Sequence, residues 1–195
     1  MTDLAARLLA ARADGDHFPE WLVGSIDLDQ ALALQLAVLD DRRAHGAELG
    51  GWKVGLTSEA SRQMLGSDTR PFGFVLANRV LASHDTIDGS AISGLRIEVE
   101  MCFTIGTDVD DATIGPDRIL DHVESVHAGF ELNETRAGST RPDFFAMVTD
   151  SLTNWGIVVA PPATKKRSAA QLSSTEITMA PVSYTHLTLP TICSV

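Results

Sequence analysis

The sequence predicts an α+β fold in which N-terminal helices precede a mostly β body. In residues 1–50, apolar side chains recur every three or four positions, which is the period of an amphipathic helix. From residue 51 onward the apolar residues form short runs, several of them alternating with polar residues and bounded by turn-forming glycine, proline and aspartate. At 195 residues, the chain is long enough for one domain with a substantial core.

Two helices are predicted in the N-terminal part. The first begins after a possible N-cap at Thr2 and ends at Gly15. The second begins at Asp27 or Asp29 and ends at Gly46, after a basic last turn that suits the helix dipole. Its apolar stripe consists of leucines at helical spacing: Leu28, Leu32, Leu36 and Leu39. These helices account for most of the first 50 residues.

The remaining elements are short. Strands are predicted at 52–56, 72–76, 79–82, 96–105, 126–133 and 155–160, with a last edge strand near 174–179. A short helix after Thr57 or Ser58 should end at Gly66, and a second should run from Pro116 to about Ser125. The body therefore reads as an incomplete β fold with small helical connections.

Composition excludes two classes of partner. The net charge of −11 argues against nucleic acid as a partner, because a polyanion needs a basic face. No apolar run reaches the roughly 18 residues of a membrane span. Arg7 and Arg12 interrupt the apolar stripe of the N-terminus, which is typical of an amphipathic helix and not of a signal peptide. A cytoplasmic protein without a nucleic-acid or membrane partner is expected.

The C-terminal stretch differs from the rest of the chain. "PVSYTHLTLPTICSV" has no charged side chain apart from its histidine, and 182–191 resembles the translation of a sequencing adaptor; the alternative is a genuine C-terminal strand. We therefore expect an N-terminal helical segment at 1–50, a partial β-rich catalytic domain at 51–181 and a non-native tail at 182–195 of a C-terminally truncated protein. Cys102 is then the single remaining cysteine, which suits a reducing compartment.

The stretch "RIEVEMCF" (96–103) carries the strongest chemical signal. Alternation places Glu98 and Glu100 on the same face of a strand, one pleat apart. Two such carboxylates offer oxygen ligands to a hard cation such as Mg²⁺, and Glu131, in the alternating strand "GFELN", is the best third ligand. Glu134 and Asp150 are weaker third ligands. The alternative is a solvated strand face whose charge Arg96 partly neutralises.

Three other side chains are considered as acid–base or nucleophilic groups. Lys53 lies between Trp52 and Val54, so it is either a solvated edge lysine or a partly desolvated acid–base group. His84, just ahead of the glutamate strand, is a possible acid–base residue. Cys102 reads as a small core residue, because no histidine adjoins it in sequence to activate it.

Four blocks, taken in order, resemble a known family. "GWKVGLTSEASRQMLG", "FGFVL", "RIEVEMCFTIG" and "FELNETR" resemble the 2-keto-4-pentenoate hydratase / 4-oxalocrotonate decarboxylase family of the fumarylacetoacetate hydrolase superfamily. The N-terminal stretches "LLAARADG" and "IDLDQALALQL" are similar to the helices of that family. The resemblance extends from about residue 4 to about residue 160 and is far more specific than an isolated pair of glutamates.

The resemblance implies a metal-dependent lyase of aromatic catabolism. It implies Mg²⁺ or Mn²⁺ held by Glu98, Glu100 and Glu131, with Lys53 as the active-site lysine that moves a proton. The implied substrate is a small 2-hydroxy-2,4-dienoate, hydrated to a 4-hydroxy-2-oxo acid, and the implied assembly is a homo-oligomer or a complex of hydratase with decarboxylase. Alternatives are a 4-oxalocrotonate-type decarboxylase, a carbon–carbon hydrolase using His84, and a non-catalytic partner subunit.

One position departs from the pattern of the family. Hydratase members often carry an acidic residue just before the Phe-Gly of the second block, where "TRPFGF" has Pro71. A missing carboxylate there weakens the hydratase interpretation relative to the decarboxylase.

Overall fold

The structure, a computed structural model, describes residues 2–65, 70–111, 113–163 and 168–176. The expected tail at 182–195 lies outside these residues. The helices are α1 (Asp3–Ala13), α2 (Leu28–Ala44), α3 (Glu59–Leu65), α4 (Pro116–Ile119), α5 (Phe144–Thr149) and α6 (Ala169–Ser173). The strands are β1 (Leu49–Val54), β2 (Phe72–Leu76), β3 (Val80–Ala82), β4 (Arg96–Ile105), β5 (Val123–Asn133) and β6 (Asn154–Val159).

The strands form two sheets. An antiparallel ribbon pairs β1 with β2, and a four-stranded sheet has the order β3-β6-β5-β4. In the larger sheet, β3 runs parallel to β6, whereas β6, β5 and β4 are antiparallel to one another. Helices followed by a largely antiparallel β body confirm the predicted α+β class. No helix in the described parts of the chain is long and apolar enough to cross a lipid bilayer.

The N-terminal helices join the β body through one apolar core. Asp27 caps α2 with a complete capping box, in which its side chain accepts from Gln30 N–H and the Gln30 side chain accepts from Asp27 N–H. The core side chains come from both helices, the loop between them, β2 and α5, and include Leu8, Phe18, Leu22, Leu34, Phe74 and Val148. The buried Gln35 side chain donates to the carbonyls of Phe72 and Val148, so α2 is also tied to β2 and α5 by hydrogen bonds.

A left-handed turn links α5 to β6. Ser151, Leu152 and Thr153 have φ of 52°, 55° and 65°, a conformation that costs a non-glycine residue about 1–2 kcal/mol. The ribbon packs tightly on this turn: a Cβ at Gly73 would lie 2.8 Å from the Ser151 carbonyl oxygen, and one at Gly55 would lie 2.7 Å from Leu152 Cδ1. Glycine at both positions therefore allows the ribbon to approach the turn.

Several predicted elements differ from the observed ones. The helix expected from Pro116 to about Ser125 ends at Ile119 as α4, because strand pairing with β4 continues as far as Val123. The edge strand expected near 174–179 is wrong where the structure describes it: α6 ends at Ser173 and 174–176 are not in a strand. Residues 177–179 lie outside the described part. Helix α5 was not predicted, although its N-cap Asp143 is a recognisable signal.

The close approach of Gly73 to the turn gives a test of the packing. Gly73→Ala should lower the free energy of unfolding by about 1–3 kcal/mol, because the obstructing atoms are backbone and cannot rotate away. Gly51→Ala, on the neighbouring strand, is the matched control: its Cβ would meet no atom within 4 Å, so the change should stay within about 0.5 kcal/mol. Urea unfolding measures both, and equal stability of the two variants would contradict the packing described.

Candidate metal centre

The register of β4 and β5 brings three carboxylates together. Glu98 lies directly opposite Glu131 across the antiparallel pair, and Glu100 is one pleat further along, opposite Gly129. Each of the three glutamates offers an oxygen, and these oxygens lie within 4.8 Å of one another. Glu98 is exposed, Glu100 half-buried and Glu131 buried, so the acidic cluster opens to solvent at one end.

A lysine from the other sheet contacts the cluster. Lys53, on β1, places Nζ 2.8 Å from Glu131 Oε1 and 3.0 Å from Glu131 Oε2. Its side chain is only 15% exposed, so the alternative of a solvated edge lysine is wrong. On the other side of Glu131, Asn154 Nδ2 donates to Oε1 at 2.8 Å. The buried carboxylate is therefore held by one charged and one neutral donor.

The charges around the cluster do not balance. Three carboxylates face one ammonium group, which leaves a net charge of −2. Among the described residues Arg96 forms no ion pair, so the neutralisation expected from it is not observed. Burial, reinforced by the charges of Glu131 and Glu98, raises the pKa of Glu100 to about 6 despite the nearby Lys53. The residues thus fit a divalent cation, which would match the excess charge and favours oxygen ligands.

Cys102 lies beside the cluster but is not set up as a nucleophile. Burial, with the charges of Glu100 and Glu131, raises the pKa of its thiol, which keeps the sulfur protonated. A Cβ on Gly129 would lie 2.5 Å from Cys102 Sγ, so glycine there makes room for the sulfur.

The weaker third ligands are engaged elsewhere. Asp150 accepts from Arg136 Nη1 at 2.6 Å and lies 3.6 Å from Arg12 Nη2. Burial acts to raise the pKa of Asp150, but His17, whose Nδ1 lies 3.7 Å away, and the two arginines outweigh it and hold that pKa below its usual range. Glu134 pairs with Arg136 Nε at 3.3 Å. Neither carboxylate joins the acidic cluster.

Neither His84 nor His127 belongs to the acidic cluster. His84 is exposed in the turn after β3, which is separated from β4 by the two strands β6 and β5, so the hydrolase alternative gains no base near the glutamates. His127, on β5, is half-buried: one ring nitrogen lies 2.8 Å from the Ala160 carbonyl oxygen and the other 2.8 Å from Ser125 Oγ.

Asn154 was missed from the sequence. It lies in the stretch "SLTNWGIVV", where no spacing marks an amide as a partner of Glu131. The contact arises from the bulged pairing of β5 and β6 between Leu132 and Asn133.

Known proteins resemble this chain in sequence and in fold. No protein-family model matches the chain. The chain is 28% identical over 136 residues to a 2-keto-4-pentenoate hydratase of Paraburkholderia xenovorans (strain LB400), which covers 70% of this chain and 49% of the relative. It is 32% identical over 111 residues to 2-keto-4-pentenoate hydratase 1 of Dechloromonas aromatica (strain RCB), covering 55% and 42% respectively. The chain thus spans about half the length of the curated relatives it matches.

The fold has a solved counterpart. A 4-oxalocrotonate decarboxylase from Pseudomonas putida G7, complexed with magnesium and adipate, superposes with a TM-score of 0.69 at 18% identity. The match covers 80% of this chain and 60% of that chain. The same enzyme complexed with calcium and acetate gives 0.68.

The sequence matches agree with the resemblance predicted from the motif blocks, since the similar proteins are 2-keto-4-pentenoate hydratases. The likeness to the decarboxylase is one of fold. In this fold the three glutamates of β4 and β5 meet Lys53 of β1 through its contact with Glu131.

The perturbed carboxylate of Glu100 gives a pH-dependent test in a chelator-containing buffer. Its pKa is raised from 4.5 to about 6, so the folded state disfavours the ionised form. Relative to Glu100→Gln, the free energy of unfolding of the wild type should therefore fall as the pH rises from 4.5 to about 6 and stay lower above that window. Urea unfolding at several pH values measures the difference. Glu124→Gln, which removes an exposed carboxylate from β5, is the control, and a wild-type curve parallel to that of Glu100→Gln would refute the clustering.

Proposed function

We propose that this chain carries the metal and active-site residues of a divalent-metal-dependent lyase that hydrates a 2-hydroxy-2,4-dienoate to a 4-hydroxy-2-oxo acid. The observation that carries the proposal is the convergence of three carboxylates within 4.8 Å, with Lys53 Nζ against Glu131. On a solvated strand face, mutual repulsion would oppose the convergence of three carboxylates. The hydratase relatives support the reaction class.

The proposed ligands of the cation, Mg²⁺ or Mn²⁺, are Glu98, Glu100 and Glu131. When bound, such a cation polarises the oxygen atoms of a 2-oxo acid and stabilises negative charge that develops on them. Glu131 is held in place by Lys53 and Asn154, so its carboxylate is fixed before any ligand arrives. Glu98 is exposed and remains reachable from the solvent side, which gives a substrate access to the cluster.

Lys53 is proposed to move the proton. Its Nζ lies at the edge of the acidic cluster, so a substrate atom next to the cation would be within its reach. The ammonium group can hold a proton at Nζ and deliver it to a substrate carbon, while its contact with Glu131 keeps it oriented. The half-buried side chain also limits competing water at this point.

A decarboxylase of the same family is the second candidate, and Pro71 favours it. Pro71 is fully buried and its carbonyl accepts from Gly55 N–H at 2.7 Å. This position therefore contributes to the packing and has no acid–base side chain. A hydration step that depends on an acidic residue there would lack it, whereas loss of CO₂ from a dicarboxylate uses the same metal ligands and Lys53.

Association with a second subunit is also part of the proposal. Strand β4 lies at the edge of its sheet, with Phe103 43% and Ile105 54% exposed, and an unpaired apolar edge favours pairing with another chain. The partner would be a second copy or a related hydratase or decarboxylase subunit in the cytoplasm, where the thiol of Cys102 stays reduced. Light scattering would give the mass, and a monomer at all concentrations would contradict self-association.

Metal binding can be tested on the chain directly. Glu98→Gln should weaken Mn²⁺ binding at least about tenfold, because a unit charge a few ångströms from the cation contributes more than about 1.4 kcal/mol at an effective dielectric constant near 20. Electron paramagnetic resonance of free Mn²⁺ during titration measures the affinity. Glu124→Gln should bind Mn²⁺ like the wild type. Equal Mn²⁺ affinity of the two variants would contradict a metal site at these glutamates.

The role of Lys53 separates chemistry from metal binding. Lys53→Met should lower turnover by about 100-fold or more while leaving Mn²⁺ bound, since it removes a proton carrier and no ligand. Loss of the ultraviolet absorbance of the dienoate reports hydration, and CO₂ release from 4-oxalocrotonate reports the decarboxylase. A wild-type chain that binds Mn²⁺ but turns over neither compound would support the non-catalytic partner instead.

A further inference from the structure

A second concave site lies between the helices and the sheet. A cleft with a cavity volume of about 160 Å³ is bordered by the end of α2, by β2 and by the start of β6. Its polar and aromatic walls include Arg42, Arg79, Arg136, Ser151, Asn154 and Trp155. None of these residues belongs to the acidic cluster, although Asn154 touches it through Glu131.

The cleft concentrates positive charge in an acidic protein. The chain carries a net charge of −11, yet three arginines line this one cavity. Arg136 is already engaged by Asp150 and Glu134, the two carboxylates of the cleft. Arg42 and Arg79 form no ion pair with any described residue. Two guanidinium groups therefore remain available to a ligand.

Arg79 is held in place without being neutralised. Its guanidinium carbon lies 3.9 Å from the ring centroid of Trp155, a cation–π contact that orients the group and leaves its charge intact. The side chain is half-buried, so its charge is less screened than that of a surface arginine. Planar, pre-oriented guanidinium groups suit carboxylate and phosphate oxygens, which they can contact with two N–H groups at once.

Ser151 has a buried hydroxyl group whose hydrogen-bonding capacity is unused among the described residues. The residue is 3% exposed and lines the cleft, and in the described part of the chain its Oγ has no hydrogen-bond partner. Its φ of 52° belongs to the left-handed turn, so the residue occupies this position at a cost in backbone strain. Buried hydroxyl groups are almost always hydrogen-bonded, and an anion in the cleft would supply the missing acceptor.

We propose that this cleft binds a small carboxylate or phosphate anion, with Arg42, Arg79 and the Ser151 hydroxyl as its donors. Two of these three donors are cationic guanidinium groups without an ion-pair partner among the described residues, which favours an anion over a cation as the occupant. The two carboxylates of the cleft, Glu134 and Asp150, are paired with two arginines, Arg136 and Arg12, so they oppose an anion only weakly. The proposal does not depend on the metal site, because it uses none of the three clustered glutamates.

Two sources could provide the anion. Asn154 borders the cleft and donates to Glu131, so the far carboxylate of a dianionic substrate held at the acidic cluster is one source. A free anion such as phosphate, bound independently of the acidic cluster, is the other. Both have the same chemistry at the arginines, and they differ in whether a divalent cation is needed.

Isothermal titration calorimetry on the full chain, with phosphate and with glutarate as probes, tests the proposal. Both anions should bind saturably, and binding should weaken as sodium chloride is added. Arg42→Gln should weaken binding about tenfold or more, as expected for loss of a charge-assisted hydrogen bond. Arg43→Gln is the matched control, since Arg43 is equally exposed on the adjacent position of α2 and does not line the cleft; its affinity should stay within about twofold.

Ser151→Ala provides a second test that leaves every charge in place. It should weaken phosphate binding by about three- to tenfold while keeping the same salt dependence. Glutarate binding that requires Mn²⁺ would assign the cleft to the far end of the substrate, and binding of both anions without Mn²⁺ would assign it to a separate anion. The proposal is overturned if neither anion binds saturably, or if Arg42→Gln and Ser151→Ala both bind like Arg43→Gln.

Discussion

The arrangement of the acidic cluster depends on the antiparallel register of β4 and β5. Because Glu98 faces Glu131 across the pair, two carboxylates that are 33 positions apart in the sequence become direct neighbours. Side chains in a strand alternate between faces, so a slip of one residue would send Glu131 to the opposite face and leave Glu98 and Glu100 without it. The pairing continues through ten residues of β4, and it is this length that secures the register.

A second constraint brings Lys53 to the cluster from the separate β1–β2 ribbon. The ribbon rests on the left-handed turn at Ser151–Thr153 through two glycines, Gly55 and Gly73, that have no side chain to hold it away. The same turn leads into β6, whose first residue, Asn154, donates to Glu131. One strained connection thus positions both donors of the buried carboxylate, which gives a physical reason for three successive left-handed residues.

The protein treats two groups of buried charge differently. Asp150 has Arg136 and Arg12 as partners, and its carboxylate is stabilised in the ionised form. Among the described residues, Lys53 is the one cation paired with the three clustered glutamates, and burial together with the charges of Glu131 and Glu98 raises the pKa of Glu100 to about 6. In a paired buried network the attraction offsets the cost of desolvation, whereas the cluster keeps an excess of negative charge that a bound cation would offset. Both groups of carboxylates are desolvated, and they differ in their cationic partners: Asp150 has two arginines, whereas the three glutamates have one lysine among the described residues.

Local patterns in the sequence determined the helices at the N-terminus, the strand at 96–105 and the shared face of Glu98 and Glu100, because each depends only on spacing within one element. The sequence also predicted Glu131 as the third carboxylate, from its alternating strand and from the resemblance, and Lys53 as the active-site lysine, from the resemblance. Only the tertiary structure decided that Lys53 contacts Glu131, that Asp150 turns instead to Arg136, and that Asn154 joins the cluster. Those contacts join side chains from different strands and sheets, so they follow from register and packing, which no spacing along the chain encodes.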